Sequence, residues 1–357
     1  MKEVSIGNRK IGENQPIFII AEAGINHNGD ISLAKKLIDV AKEAGADAIK
    51  FQAFFADEEV TIHTPKAEYQ KKATKKNESY YVMIKKLELS ESQYQILMKY
   101  AKKRDIIILF TPSDEKSADL LRRLGTPAFK IGSNDLTTLP MLKHIAKFGR
   151  PMIVSTGMAT LREIKEAIAT IKSAGNKKII LLHCTSTYPT EFKNANLNAI
   201  FLLKRVFRIP VGYSDHTLGI EATIATAALG ARVIEKHITL DKGLPGPDHK
   251  MSLEPDELKK MVESIRNVER ALGSPIKKPL KSEMEIMKVA RKSIVAKIEI
   301  PKGSKIRKEM IAFKRPGTGI PPKFENKVIG AIAKQKIEQD ELISWKKIKR
   351  RQFGRKR

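Results

Sequence analysis

Two histidines, His216 in GYSDHTLG and His237 in EKHITLD, and two lysines set in apolar runs, Lys50 in ADAIKFQ and Lys130 in AFKIGS, carry the clearest chemistry of this chain. A pair of imidazoles with open positions around it suits a borderline divalent ion whose other ligands are water and substrate oxygens, and such an ion polarises a carbonyl. A lone histidine is more often a hydrogen-bonded structural residue; two at the ends of successive apolar runs favour a site. Lys50 and Lys130, with Thr111, Ser133, Ser186 and Ser214 as short hydroxyl donors, compose a pocket for a phosphate with an adjacent carboxylate. The structural alternative for Lys130 is a buried ion pair with Glu22 or Asp135. Glu22, Asp135, Asp215, Glu235 and Asp248 are the acids in reach, one serving as a general base while others orient the imidazoles. The residue types alone do not assign those roles.

These groups need elements that bring them together. Eight apolar runs span Ile17 to Gly24, Ala46 to Gln52, Ile106 to Thr111, Ala128 to Ser133, Pro151 to Thr156, Ile179 to Thr185, Pro210 to His216 and Arg232 to Thr239. Their ends supply Glu22, Lys50, Gln52, Thr111, Lys130, Ser133, Thr156, His183, Ser214, His216, Glu235, Lys236 and His237. Parallel strands buried on both faces read as such continuous runs, and in a closed eight-strand barrel their C-terminal ends share one crevice. Helix-patterned stretches lie between them. Ser32 to Gly45 has apolar residues at Leu33, Leu37, Ile38 and Ala41, with Ser32 as the expected N-cap and Gly45 as the stop. Segments from Ser90, Ser117, Leu161, Ile220 and Pro255 read the same way. The rhythm breaks after the second strand, where a long excursion includes Thr64 to Lys86, and so long a loop in a compact fold is usually functional.

A chain of 357 residues exceeds the usual barrel of about 250 residues, so a second small domain is expected. Beyond Gly273 the sequence turns Pro- and Lys-rich. The expected division is a barrel over residues 1–273, a linker over 274–290, a small β module over 291–350 and a basic tail over 351–357. No apolar stretch reaches the roughly 18 residues of a membrane span and Met1 to Pro16 is too polar for a signal peptide, so a cytoplasmic protein is expected. Cys184 is the sole cysteine, which excludes an intrachain disulfide and a cysteine metal cluster. Net charge is +27, but residues 291–357 hold 21 Lys and Arg against 6 Asp and Glu, a net of +15. The excess therefore concentrates at the end, in a run that reads as a solvated tail. A nucleic-acid-binding protein is the non-enzymatic alternative; 6% aromatic residues and no nucleic-acid motif speak against it. No glycine-rich loop marks a dinucleotide site.

In order along the chain, AEAGINHNGD, KFQAF, KIGSND, STGM, LLHCTSTYPT, GYSDHTLG, EKHITLD, PGPDHKMSLEP and KRPGTG resemble the sialic acid synthases, the phosphoenolpyruvate-dependent family that makes nonulosonic acids. The resemblance implies a TIM (β/α)8 barrel followed by a small, mainly β antifreeze-like (SAF) domain, and a transferase that condenses phosphoenolpyruvate with an N-acylated amino hexose to give a nine-carbon 2-keto acid and phosphate. It implies that His216 and His237 hold manganese or magnesium, which polarises the open-chain sugar's aldehyde. Lys50, Thr111, Lys130, Ser133 and Ser214 match positions that hold phosphoenolpyruvate. Gln52, Tyr188 and Asp248 match contacts to the sugar, and Glu22 matches an acid at the reacting centre. Asp135 stands where many relatives carry glutamate, and Ser186 where some carry asparagine, which shortens both reaches. A domain-swapped homodimer is implied, with Arg315 reaching the sugar's N-acyl group from the partner subunit. N-acetylmannosamine and 2,4-diacetamido hexoses both remain open as acceptors, the long loop leaning toward the neuraminic and legionaminic branch. Another phosphoenolpyruvate aldol-type barrel enzyme with a different acceptor is the rival activity.

Overall fold

The computed structural model describes residues 3–74 and 78–349 and divides the chain into two compact units, Met1–Gly273 and Ser274–Arg357. In the first, eight parallel strands close a barrel: β3 (Phe18–Gly24), β4 (Ala48–Ala53), β5 (Ile107–Pro112), β6 (Phe129–Ile131), β7 (Met152–Ser155), β8 (Ile179–Cys184), β9 (Val211–Asp215) and β10 (Val233–His237), with β10 returning to pair with β3. This is the TIM barrel that the eight runs predict. A two-stranded hairpin, β1 (Val4–Ile6) and β2 (Arg9–Ile11), precedes it. The helices are α1 (Ile31–Glu43), α2 (Ala56–Glu59), α3 (Glu68–Thr74), α4 (Tyr80–Lys85), α5 (Glu91–Lys103), α6 (Glu115–Leu124), α7 (Leu139–Ala146), α8 (Leu161–Ser173), α9 (Ala199–Phe207), α10 (Glu221–Ala228) and α11 (Pro255–Leu272). Helix α1 starts two residues earlier than expected: Asp30, not Ser32, is its N-cap, its carboxylate accepting from the Ser32 amide. The acid there also suits the positive end of the helix.

Strand alternation sorts the barrel into two cores. Outward residues such as Ile19, Ala21, Ile49, Phe51, Phe110, Val154 and Leu181 pack under the helices. Inward residues Phe18, Ile20, Ala48, Leu109, Ala128, Ile153, Ile180, Leu182 and Val233 fill the lower barrel, and Val4, Ile6 and Ile11 of the hairpin plug its N-terminal end. The next inward position along each strand is polar in nearly every case: Glu22, Lys50, Thr111, Lys130, Ser155, Ser214 and Glu235, with Cys184 on β8. Side chains point to the same face every second residue, so an apolar floor two layers deep gives way to a polar rim without any change of backbone. An ionic network ties the closed end together. Asp47 accepts the Ile19 amide at 2.8 Å and pairs with Arg266 at 3.0 Å and with Arg9.

The second unit is a small β module with its own isoleucine-rich core around Ile294, Ile300, Ile306, Ile337, Ile343 and Ile348. It pairs β11 (Ser293–Ala296) with β12 (Ile311–Lys314), and β13 (Ile332–Ala333) with β14 (Ile348–Lys349), both antiparallel. The segment 274–290, expected as a linker, contains a helix, α12 (Glu283–Ala290), none of whose residues is buried. The tail 351–357 lies outside the described residues. Among the described residues, no helix is long and apolar enough to cross a membrane.

Candidate active site

Fourteen of the residues singled out in the sequence line one cavity of about 520 Å³ at the C-terminal mouth of the barrel: Glu22, Lys50, Gln52, Thr111, Lys130, Ser133, Asp135, Ser186, Tyr188, Ser214, His216, Glu235, His237 and Asp248. Arg315 lies exposed in the second unit, on a turn where Ser293 Oγ donates to Pro316 O at 2.6 Å and accepts from the Gly319 amide at 2.9 Å. Three rim residues read from the runs do not enter the cavity, because their position along the strand turns them outward or into backbone contacts. Thr156 Oγ1 donates to Leu182 O, His183 Nε2 meets Ala195 O at 2.8 Å, and Lys236 pairs with Asp215 at 2.8 Å. Larger grooves of about 960 and 980 Å³ at the closed end surround Arg9 and Asp47 and gather none of these groups.

The floor of the cavity is a buried quartet of alternating charge. Lys50 Nζ lies 2.6 Å from Glu22 and 3.8 Å from Glu235, and donates to Thr111 Oγ1 at 2.9 Å. Glu235 also faces Lys130 at 3.5 Å and accepts from Ser214 Oγ at 2.9 Å. Lys130 donates to Ser155 Oγ at 2.7 Å. The ion pair foreseen for Lys130 thus exists, with Glu235 rather than Glu22 or Asp135 as its partner. Burial disfavours charge on all four groups, and their neighbours decide each outcome. Burial pushes Glu22 up to about 7 against the pull of Lys50. For Glu235 burial is outweighed by Lys130 and Lys50, which hold it below the usual carboxylate range. Burial opposes the charge on Lys50, but Glu22 and Glu235 more than offset it; Lys130 is held below its ordinary value by burial.

Beside the lysines, Ser133 Oγ accepts the Gly157 amide at 3.0 Å. A Cβ on Gly157 would stand 2.2 Å from Ser186 Oγ and 2.8 Å from Ser133 Oγ, so only glycine lets these two hydroxyls face one another across the backbone. Above them, the His216 and His237 rings lie 5.4 Å apart, and Tyr188 packs 4.2 Å from His216 and 5.1 Å from Tyr69. His216 Nδ1 sits 2.8 Å from Thr185 O, a contact that assigns its proton to that nitrogen and leaves Nε2 a lone pair. His237 is held neutral, its pKa well below the ordinary value through burial and the charges of His216, Lys50 and Lys236, and its Nδ1 is buried with no hydrogen-bond partner. His216 is more basic than usual: burial lowers it, but Cys184 and Thr185 O overcome that, so a proton and a cation compete for it.

A divalent cation fits this pair on the orphaned His237 nitrogen and the oriented His216 ring. Among the described residues there is no group of three or more His, Cys, Asp or Glu that could hold a metal ion. Two imidazoles alone leave the remaining positions open for water and substrate, as in catalytic rather than structural sites.

The upper wall is acidic. Asp248 is 6% exposed and pushed by burial up to about 6, with His216 opposing. Burial lifts Asp135 to about 7 against Lys130 and the Asn134 amide, which donates at 3.1 Å. Glu59, Tyr69, Tyr80, Ser155 and Cys184 also line the cavity and were not among the residues singled out for it. Strand parity marks Ser155 and Cys184; Glu59, Tyr69 and Tyr80 sit in the long excursion, whose return path sequence patterning does not fix.

Comparison with known proteins agrees with this architecture. The NeuB family model matches residues 37–277 and the SAF domain model residues 291–349. The N,N'-diacetyllegionaminic acid synthase of Campylobacter jejuni is 49% identical over 328 residues, covering 91% of this chain and 98% of that protein. The N-acetylneuraminate-9-phosphate synthase of Homo sapiens is 39% identical over 340 residues, covering 94% and 93%. A crystal structure of the N-acetylneuraminic acid synthetase of Leptospira borgpetersenii, in complex with citrate, superposes with a TM-score of 0.71 at 37% identity, over 80% of this chain and 95% of that one. A closed barrel with this charged mouth, followed by a SAF domain and matched along nearly its whole length by such synthases, makes this chain a member of the NeuB family.

Proposed function

We propose that the protein is a nonulosonic acid synthase that joins phosphoenolpyruvate to an N-acylated amino hexose, N-acetylmannosamine or a 2,4-diacetamido-trideoxyhexose, releasing phosphate. The observation that supports this most is the two-ended cavity: a floor with two ammonium groups and several hydroxyls, and a mouth with two imidazoles, a tyrosine and carboxyls. Lys50, Lys130, Thr111, Ser133, Ser186 and Ser214 would hold the phosphate and carboxylate of the enol. Gln52, Asp135, Tyr188 and Asp248 would bind the sugar, with Arg315 supplied by the partner subunit of a domain-swapped homodimer in the cytoplasm. A manganese or magnesium ion on His216 and His237 would polarise the acceptor carbonyl.

The reaction joins C3 of the enol to the aldehyde carbon, whose oxygen takes up a proton. Water then adds at C2 and gives its proton to a carboxylate; Glu22, poised at about 7 between Lys50 and the open cavity, suits that transfer. The tetrahedral adduct collapses to the 2-keto acid as phosphate departs toward Lys50 and Lys130. Holding both reactants face to face can be worth about 7–11 kcal/mol in ideal cases. The test is phosphate release from phosphoenolpyruvate by the manganese-loaded protein with N-acetylmannosamine, 2,4-diacetamido-2,4,6-trideoxymannose or the pseudaminic precursor. Release that needs one acceptor supports the assignment and names the sugar; none with any of them, from folded and metal-loaded protein, overturns it.

A further inference from the structure

We infer that Glu59, outside every motif that carries the family resemblance, sets the class of acceptor: it receives hydroxyl donors from an uncharged sugar and turns away one bearing a phosphomonoester at its far end. The inference rests on the reading of this cavity as the meeting place of phosphoenolpyruvate and an amino sugar.

Glu59 closes α2, at the start of the excursion between β4 and β5, and faces the cavity together with Tyr80, Asp135 and Asp248. Among the described residues its carboxylate makes no hydrogen bond or ion pair. The same holds for the carboxylate of Asp248, which is more than nine-tenths buried. Asp135 has one partner among the described residues, the Asn134 amide. Carboxylates withdrawn from water without donors are costly, and one structure that repays the cost is a ligand that brings O–H or N–H groups to them. A sugar chain brings several. A phosphomonoester brings no donors in its dianionic form and adds two negative charges beside groups that are already reluctant to ionise together: burial, then Asp135 and Asp114, push Glu59 up to about 7. Among the described residues, no cation lining the cavity is free to offset that repulsion. Among the described residues, Lys50 and Lys130 are the only lysines or arginines lining the cavity, and both are already engaged with Glu22 and Glu235 at the floor.

The experiment compares N-acetylmannosamine with its 6-phosphate at pH 8, with manganese and saturating phosphoenolpyruvate, in the wild-type protein and in Glu59→Gln and Glu59→Lys. The wild type is expected to favour the free sugar by at least tenfold in kcat/KM. Both variants should shrink that ratio by tenfold or more, chiefly through a lower KM for the phosphate ester, with Glu59→Lys beyond Glu59→Gln. The isosteric amide keeps the fold if the lysine does not. Equal use of the two sugars by the wild type, or a ratio unmoved in both variants, overturns the inference while leaving the synthase reading in place. A preference for the phosphate ester, as capture by Lys250 in the neighbouring pocket beside Tyr69 and Tyr188 would give, overturns it equally. No turnover of either sugar or of a 2,4-diacetamido sugar overturns the synthase reading and the inference with it.

Discussion

Replacing Glu235 by glutamine removes one charge from the centre of the buried quartet while keeping its shape and an oxygen for Ser214. Glu235 lies 3.5 Å from the Lys130 ammonium and 3.8 Å from that of Lys50. At an effective dielectric of about 20, each attraction is worth roughly 4–5 kcal/mol before the cost of burial is counted. Removing one partner from a buried ion pair typically costs about 3–5 kcal/mol net, because the remaining charge stays buried without compensation. For a unit of this size about 2 °C of Tm accompanies each kcal/mol, so the ligand-free Glu235→Gln variant should melt roughly 6–10 °C below wild type. The two lysines then lack a counter-charge that an anion can supply. Saturating phosphoenolpyruvate should therefore raise the variant's Tm by more than it raises that of the wild type. Differential scanning calorimetry at one pH and ionic strength reads both quantities. A loss under about 1 kcal/mol, or a ligand-induced rise no larger than in wild type, would refute the claim that Glu235 balances the two ammonium groups.

Three further outcomes are expected. Asp135 has a folded-state pKa of about 7 against an ordinary 3.8, so the folded protein binds the extra proton between those values. Its contribution to stability is full below pH 3.8 and is lost as pH rises through about 7; the metal-free Asp135→Asn variant should gain on wild type across that window by up to a few kcal/mol, read by denaturant melts at pH 4.5 and 8. His237→Ala should lose manganese affinity by at least a hundredfold in calorimetric titration and lose turnover, and in wild type the affinity should fall with pH as His216, more basic than usual, takes up its proton. Normal activity in His237→Ala would remove the metal assignment. Asp47→Ala leaves the Ile19 amide without its 2.8 Å acceptor and takes a carboxylate from both Arg9 and Arg266, so it should cost about 2–4 kcal/mol of stability with the site chemistry unaltered at low temperature.

How much of this was legible in the sequence follows from what each signal encodes. The eight strands announce themselves because strands buried on both faces need unbroken apolar runs, and their ends name most of the cavity. What the runs do not show is parity. Thr156 and Ser155 are adjacent, yet only Ser155 points inward to reach Lys130, and Lys236 sits between two cavity residues while itself facing Asp215. Counting in steps of two from Phe18, Ala48 or Val233 would have sorted them. The hairpin β1–β2 escaped because three-residue strands carry almost no periodic signal, although Val4, Ile6 and Ile11 close the barrel floor. Glu59 was invisible for a different reason: its place in the cavity depends on how the excursion folds back over the mouth, which is a tertiary outcome and not a pattern.

As a synthase, the mouth of this barrel would make a carbon–carbon bond and bring water, not an oxygen of phosphate, to C2 of the enol. The most direct test uses phosphoenolpyruvate labelled with heavy oxygen at the bridge between carbon and phosphorus, with manganese and the preferred amino sugar, followed by mass spectrometry of both products. The label is expected to leave entirely with phosphate, and only when the sugar is present, in step with a nine-carbon keto acid. Label retained in the keto acid, or released without the acceptor, would contradict it.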